Sequence, residues 1–490
     1  MLDCAGNCLP GSDGVSFLTR SIGDYVGRYN SIVRGILWTC VVLAIAITLA
    51  VWRYRPDIGI RVGTASISQT FCDEVFVSGL DPNRVFAEDI RPQRALHTLL
   101  RRVRYSVDRQ RQQVVTTWAG HFAGVATYYP GYGCMLGNAK PSADAPVAFA
   151  PNSPANAASS ENSAAPVTPS NPKLSEAIDR AFAEPPRPPY RQVRAIVVMR
   201  DGRIVAERYA PGIGADTPLL SYSVSKSVIN ALIGILVGQG KLNLYAPAPV
   251  AAWSSPSDPR HAITLDELLR MTSGLDLDES DSGFDPVSRM MFLERDMAGF
   301  AEKAKPIAMP GQTWEYTSGN TLIASAILRD AVGGTAADVL RFAHRELFDP
   351  VGMRHVTMEF DGAGTPIGST RILASARDWA RFGELYLKDG VVDGKRILPE
   401  DWLSYSTKPT LDSPYGSGFW VNGGRSDDAQ ARVKAGMPAD AFYASGNFGQ
   451  RIVIIPSQKI VIVRFGVTID PPNFDMRGLL RLVKDVIAAH

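Results

Sequence analysis

Between residues 35 and 52 the chain reads GILWTCVVLAIAITLAVW, 18 positions without a charge, with Arg34 and Arg53 immediately outside. A helix of that length is roughly the minimum that crosses a hydrocarbon core about 30 Å thick. Soluble helices rarely stay apolar on every face, so the run predicts a single-pass transmembrane anchor. A buried core helix and a cleaved signal peptide ending near Ala50 are the alternatives. The 34 residues ahead of the run are long for a signal-peptide leader, which favours the uncleaved anchor. Arg20, Arg28 and Arg34 on one side are balanced by Arg53, Arg55 and Arg61 on the other, so charge does not orient the span.

Beyond the anchor the pattern changes three times. Residues 58–138 mix aromatic, β-branched and turn residues, with 112–117 and 126–129 as candidate strands, and read as a folded membrane-proximal region. Residues 139–173 are mostly Ala, Pro, Asn and Ser, a composition that buries too little surface to order itself, and predict a linker. A domain then runs from 174 to 490. Its apolar runs 193–200 and 203–209 flank Asp201-Gly202, a strong two-residue hairpin signal. A second hairpin is expected where 452–455 and 460–463 flank Pro456-Ser457-Gln458. Neither pair alternates with polar residues, so both faces of their sheet should be covered. The helices between them start at Thr264-x-x-Glu267 and Ser375-x-x-Asp378 and stop at Gly240 and Gly333. Strand pairs at both ends with helices between predict an α+β fold, an antiparallel sheet sandwiched by helices.

Composition narrows the function. With 490 residues, 45% of them apolar, the chain can bury one large core and something smaller. A formal charge of +2 provides no field to recruit nucleic acid, so no nucleic-acid partner is expected. The most basic stretch, 94–111 with Arg101, Arg102, Arg104 and Arg109, reads as a solvated face more readily than as a phosphate grip. Five cysteines, at 4, 8, 40, 72 and 134, form no CxxC, and six histidines form no HExxH. Neither thiol nor metal catalysis gains support, and no cofactor is expected. Cys72 and Cys134 would pair in an oxidising compartment; two separate buried thiols are the other reading.

Three segments carry chemistry. Ser221-Tyr-Ser223-Val-Ser-Lys226 opens a strongly apolar helix, which puts Ser223 and Lys226 on one face, a turn apart. A hydroxyl needs an adjacent base, and a lysine serves when burial lowers its pKa. The helix N-terminus would favour the developing oxyanion. Ser-x-x-Lys alone is weak, and Ser170-Asn-Pro-Lys173 matches it at the end of the linker with no apolar helix behind; an N-cap serine with a solvated lysine is the bland reading. The second segment, Pro310-Gly-Gln-Thr-Trp-Glu-Tyr316-Thr-Ser318-Gly-Asn320, leads into an apolar helix over 321–332 with Tyr316 at its mouth, as a proton relay or a half-buried phenol. The third, Ala444-Ser445-Gly446-Asn447-Phe-Gly449, precedes the late hairpin. It is a plain glycine-rich turn or one that brings the Asn447 amide beside that of Ser223.

In order and spacing these segments resemble the serine β-lactamase-like, penicillin-recognising hydrolases, which include class C β-lactamases, D-Ala-D-Ala carboxypeptidases, esterases and 6-aminohexanoate-oligomer hydrolases. The resemblance spans about 190–488 and extends to His261-Ala-Ile-Thr-Leu-Asp-Glu-Leu-Leu-Arg-Met-Thr-Ser-Gly274 and Ser375-Ala-Arg-Asp-Trp-Ala-Arg-Phe-Gly383. It implies a β-lactamase/transpeptidase-like fold with a mostly helical subdomain. By the resemblance Ser223 is acylated, Lys226 is its base, Tyr316 the second acid/base and Asn447 the second oxyanion amide. Two departures point to the amidase and esterase branch. Ala444-Ser445-Gly446 stands where Lys-Thr-Gly is common, and Tyr316-Thr317-Ser318 where Tyr-x-Asn is common, leaving Ser318, Ser445 and Gly446 to face substrate. The expectation is a membrane-anchored, single-pass serine hydrolase of a small-molecule amide or ester. Its catalytic domain would lie in the periplasm, on the outer side of the inner membrane. A β-lactamase or carboxypeptidase is the nearer alternative and an inactive penicillin-binding-like module the farther one. The oligomeric state stays open.

Overall fold

The computed structural model describes residues 29–46, 48, 55–137, 139–141, 165–469 and 472–489. It separates into Met1–Asp57 and Ile58–His490. In the first unit, the helix Tyr29–Ala46 is solvent-exposed and long and apolar enough to cross a membrane or to serve as a signal sequence. It starts ahead of residue 35 because helical hydrogen bonding does not stop where the apolar run does. Of the expected span, residues 47 and 49–52 lie outside the described residues.

The second unit is built on a six-stranded antiparallel sheet. Its order is Trp420–Val421, Phe442–Gly446, Gln450–Ile455, Ile460–Gly466, Val193–Arg200 and Arg203–Tyr209. Both expected hairpins are present, and the first and last strands of the domain pair inside the sheet, Val197 opposite Val463. One face, with Ile196, Val198, Val453 and Ile462, is covered by the helices Pro172–Phe182 and Pro472–Ala488. The other face packs Val197, Ile452, Val461 and Val463 against Trp379 and Phe382 of the helix Ala376–Leu387 and the helical subdomain beyond. Covering on both sides is why these strands lack polar alternation. Thr264 and Glu267 form the expected capping box, Ser375 caps the helix of Asp378, and Gly333 ends Ser318–Val332 at a φ of 137°.

Two boundaries differ from the sequence reading. Of the expected linker, residues 142–164 lie outside the described residues, and its last part is ordered: Asn171 caps the helix Pro172–Phe182, so Lys173 is helical, and the Val167 carbonyl accepts from the amide of Glu207 on the sheet edge at 2.9 Å. Residues 58–138 are also no separate body. They form the helix Pro56–Cys72 and a four-stranded antiparallel sheet, tied together by a Cys72–Cys134 disulfide. This lobe lies in the same compact unit as the domain that follows it. Buried ion pairs join the two: Arg194 meets Glu74 at 3.0 Å and Asp89 at 2.6 Å, and Arg371 meets Asp73. Glu359 accepts from the Cys134 amide at 2.6 Å and from the Gln69 amide group at 2.9 Å. Charges this deeply buried are tolerated only with partners, so each side of the joint needs the other. No composition rule reveals such pairing in advance.

Candidate active site

The apolar helix Ser225–Gly238 is buried on every side, and a 3-10 turn, Tyr222–Val224, delivers the chain into it. Four residues past Lys226, buried Asn230 anchors the helix. Its Oδ1 accepts from Tyr386 at 2.7 Å and Trp402 at 3.0 Å, and its amide nitrogen donates to Ser417 at 2.9 Å. Burial of the helix carries Lys226 inside, where its Nζ donates to the Ser223 hydroxyl at 3.0 Å, the Ser318 hydroxyl at 3.2 Å and the Ser369 carbonyl at 3.1 Å. Desolvation pulls the ammonium down to about 8, against the opposing pull of the Glu279 and Asp281 carboxylates. A substantial neutral fraction near pH 7–8 gives the amine the capacity to accept a proton.

Tyr316 is placed by backbone clamps. Thr317 caps the helix Ser318–Val332 by accepting from the Gly319 amide, leaving Tyr316 just outside the first turn. The segment before it is held by Glu315 N to Met271 O at 2.9 Å and Gly311 N to Thr272 O at 2.8 Å. Gly274, at a φ of 73°, lets this stretch approach, since a Cβ there would sit 2.3 Å from the Ala308 carbonyl oxygen. The Lys226 Nζ lies 4.8 Å from the centre of the phenol ring, and the neighbouring Ser223 hydroxyl acts to lower the phenol pKa against burial. Burial raises the phenol above its ordinary value, as does the nearby Glu279 charge. Tyr316 is therefore a neutral phenol at rest, and an O–H donor beside the serine. Tyr415 and Trp420 flank its ring, each 5.5 Å away between centroids.

The strand Phe442–Gly446 completes the site. Gly446 packs so closely on the nucleophile turn that a Cβ would lie 2.2 Å from the Ser221 carbonyl oxygen, and Ala444 is buried in the core. Ser445 is half-buried and Asn447 exposed. Tyr222 and Phe448, both at left-handed φ of 48° and 58°, meet edge to face at 5.1 Å, so the serine turn and the turn after Gly446 brace each other. The structure thus brings Ser223, Lys226, Tyr316 and Ser318 together and sets the 445–447 edge beside them.

Two carboxylates in this site had no sequence signal. Glu279 accepts from the Ser318 amide and, at 2.8 Å, from its hydroxyl. Asp281 is pushed up to about 6 by burial and by the charges of Glu279 and Asp285, with Lys226 opposing. Both sit in an irregular loop, and no spacing rule links a loop carboxylate to a lysine more than fifty residues away. Elsewhere, Asp73, Cys134 and Glu359 bring one atom each within 4.8 Å of one another, but the Cys134 sulfur is taken by the disulfide and offers no thiolate to a metal.

An antiparallel sheet sandwiched by helices, with a serine, a desolvated lysine and a tyrosine gathered at its edge, defines a serine hydrolase. The beta-lactamase family model matches residues 189–487, and the chain belongs to that family. The 6-aminohexanoate-dimer hydrolase of Paenarthrobacter ureafaciens is 24% identical over 315 residues, 58% of this chain and 75% of that protein. A penicillin-binding protein homologue from Caulobacter crescentus matches with a TM-score of 0.51 at 19% identity, covering 66% of this chain and 99% of the other. A family VIII carboxylesterase matches with a TM-score of 0.50 at 14% identity, again covering 66% and 99%.

Proposed function

We propose that this protein is a membrane-anchored amidase or esterase that works through an acyl-enzyme on Ser223. The observation that carries the reading is the 3.0 Å contact between the Ser223 hydroxyl and a buried Lys226 amine whose pKa is drawn down to about 8. Lys226 takes the serine proton as Ser223 attacks the carbonyl, and Tyr316 hands a proton to the leaving group. The backbone amides of Ser223 and Asn447 hold the oxyanion, while Ser318 and Ser445 contact the substrate. Water activated by the same pair then releases the acid. No cofactor enters this scheme.

The substrate class follows from charge. A β-lactam or a peptide C-terminus brings a carboxylate, and the strand that faces it here has Ala444 in place of a lysine, while Glu279 and Asp281 stand close by. That field disfavours an anionic substrate and supports a neutral or cationic amide or ester. The Cys72–Cys134 disulfide supports an oxidising compartment, hence a catalytic unit on the outer side of the inner membrane with the N-terminal helix as anchor.

Intact-mass detection of a fluorophosphonate adduct tests the chemistry. One adduct is expected on the wild type and none on Ser223→Ala, and an adduct surviving in the variant contradicts the assignment. A panel of p-nitrophenyl esters, linear amides and nitrocefin tests the class. Turnover of nitrocefin above the esters would point to a β-lactamase, and acylation without turnover to a penicillin-binding-like module. A reporter fused after His490 that is active only in the cytoplasm would overturn the location.

A further inference from the structure

Away from the serine, positive charge gathers in a cavity of about 180 Å³ against the helices Pro172–Phe182 and Pro472–Ala488. Five arginines line it, Arg180, Arg191, Arg464, Arg477 and Arg481, against two carboxylates, Asp475 and Asp485. Both carboxylates are already engaged: Asp475 accepts from Arg451 at 2.6 Å and Asp485 from Arg180 at 3.2 Å.

Arg464 is the buried member, 5% exposed. Its guanidinium donates to the Gly449 carbonyl at 2.6 Å, the Thr468 hydroxyl at 2.5 Å and the Arg191 carbonyl at 3.3 Å, none of which carries a charge. Among the described residues no carboxylate lies within ion-pair distance of it, and its negative neighbours, Asp475 and Glu184, act only from farther away. Burial pulls it down to about 10, and the charges of Arg451 and Arg191 act in the same direction against Asp475 and Glu184. Arg477 and Arg481 stand one turn apart on the same helix and contribute two exposed guanidinium groups to the rim.

We infer that this cavity is a binding site for a phosphate-type oxyanion. Guanidinium forks pair with phosphate oxygens two at a time, and a tetrahedral anion accepts from several forks at once, whereas a single carboxylate satisfies one. The cavity has room for a phosphate bearing a short substituent, so the group could arrive as a free anion or as a lipid headgroup. The carbonyl of Gly449 fixes Arg464, so the floor of the site is built before any ligand binds.

Calorimetric titration of the full-length protein in detergent tests this, with inorganic phosphate as probe in phosphate-free buffer at about 0.15 M chloride. The wild type is expected to show one saturable site, and Arg477→Gln/Arg481→Gln to bind on the order of tenfold more weakly or worse. The control Lys241→Gln/Lys395→Gln removes equal charge elsewhere and should bind like the wild type. Melting curves without phosphate establish that both variants are folded, and Arg481→Gln alone replaces the double variant if it is not. Dihexanoyl phosphatidylglycerol as second probe separates the sources, tighter binding than phosphate identifying a lipid headgroup and weaker binding a free anion. Absence of saturable heat with both probes, or equal affinity in the variant and its control, overturns the inference.

Discussion

Replacing Glu279 by glutamine tests the electrostatic core of the site. Lys226 and Glu279 both contact the Ser318 hydroxyl, at 3.2 Å and 2.8 Å, so the ammonium and the carboxylate are at most about 6 Å apart. At an effective dielectric of about 20, unit charges at that separation interact by about 3 kcal/mol, or about two pKa units. Glu279 is half-exposed, and solvent screening reduces this to about one unit. The sign follows from which form the carboxylate favours: its charge stabilises the ammonium and raises the Lys226 pKa, so removing it lowers that pKa further below about 8. If neutral Lys226 is the base, kcat/KM for a p-nitrophenyl ester rises with pH along a limb centred near 8 in the wild type, and in Glu279→Gln the limb moves about one unit toward acid. With an ordinary lysine pKa near 10.5, only roughly one molecule in three thousand would be ready at pH 7; at about 8 the fraction is roughly one in ten. The desolvated environment therefore provides a gain of a few hundredfold. A purely structural Glu279 would lower the plateau without moving the limb. A limb that stays in place or moves to higher pH in the variant refutes the reasoning.

Tyr316→Phe keeps the ring contacts with Tyr415 and Trp420 at 5.5 Å and removes only the hydroxyl. Steady-state kinetics should show kcat falling by about 10²–10⁴ with KM little changed, and a variant that retains wild-type kcat removes Tyr316 from the mechanism. Opening the Cys72–Cys134 bridge frees a loop of 62 residues, which on chain-entropy grounds lowers stability by about 4 kcal/mol. Urea unfolding of Cys72→Ala/Cys134→Ala should show an earlier midpoint, and an unchanged one would mean that the buried ion pairs of the lobe suffice alone.

The amino-acid pattern by itself determined the elements and the chemistry-bearing residues. The Asp201-Gly202 turn signal marked the first hairpin, and the unbroken apolar runs 452–455 and 460–463 marked the second as covered on both faces, because strands without polar alternation have no solvent side. A helix as apolar as Ser225–Gly238 is bound to be buried, and burial is what moves Lys226, so the serine and lysine were legible from local pattern alone. The tertiary structure alone decided what depends on distant pairing. It brought Glu279 and Asp281 to Lys226 from a loop without periodicity. It packed Gly446 against Ser221, and it bound 58–138 to the sheet through Arg194, Arg371 and Glu359. Periodicity reports which face of an element is buried; a buried ion pair is specified jointly by two segments far apart in the chain, and neither carries the mark of its partner.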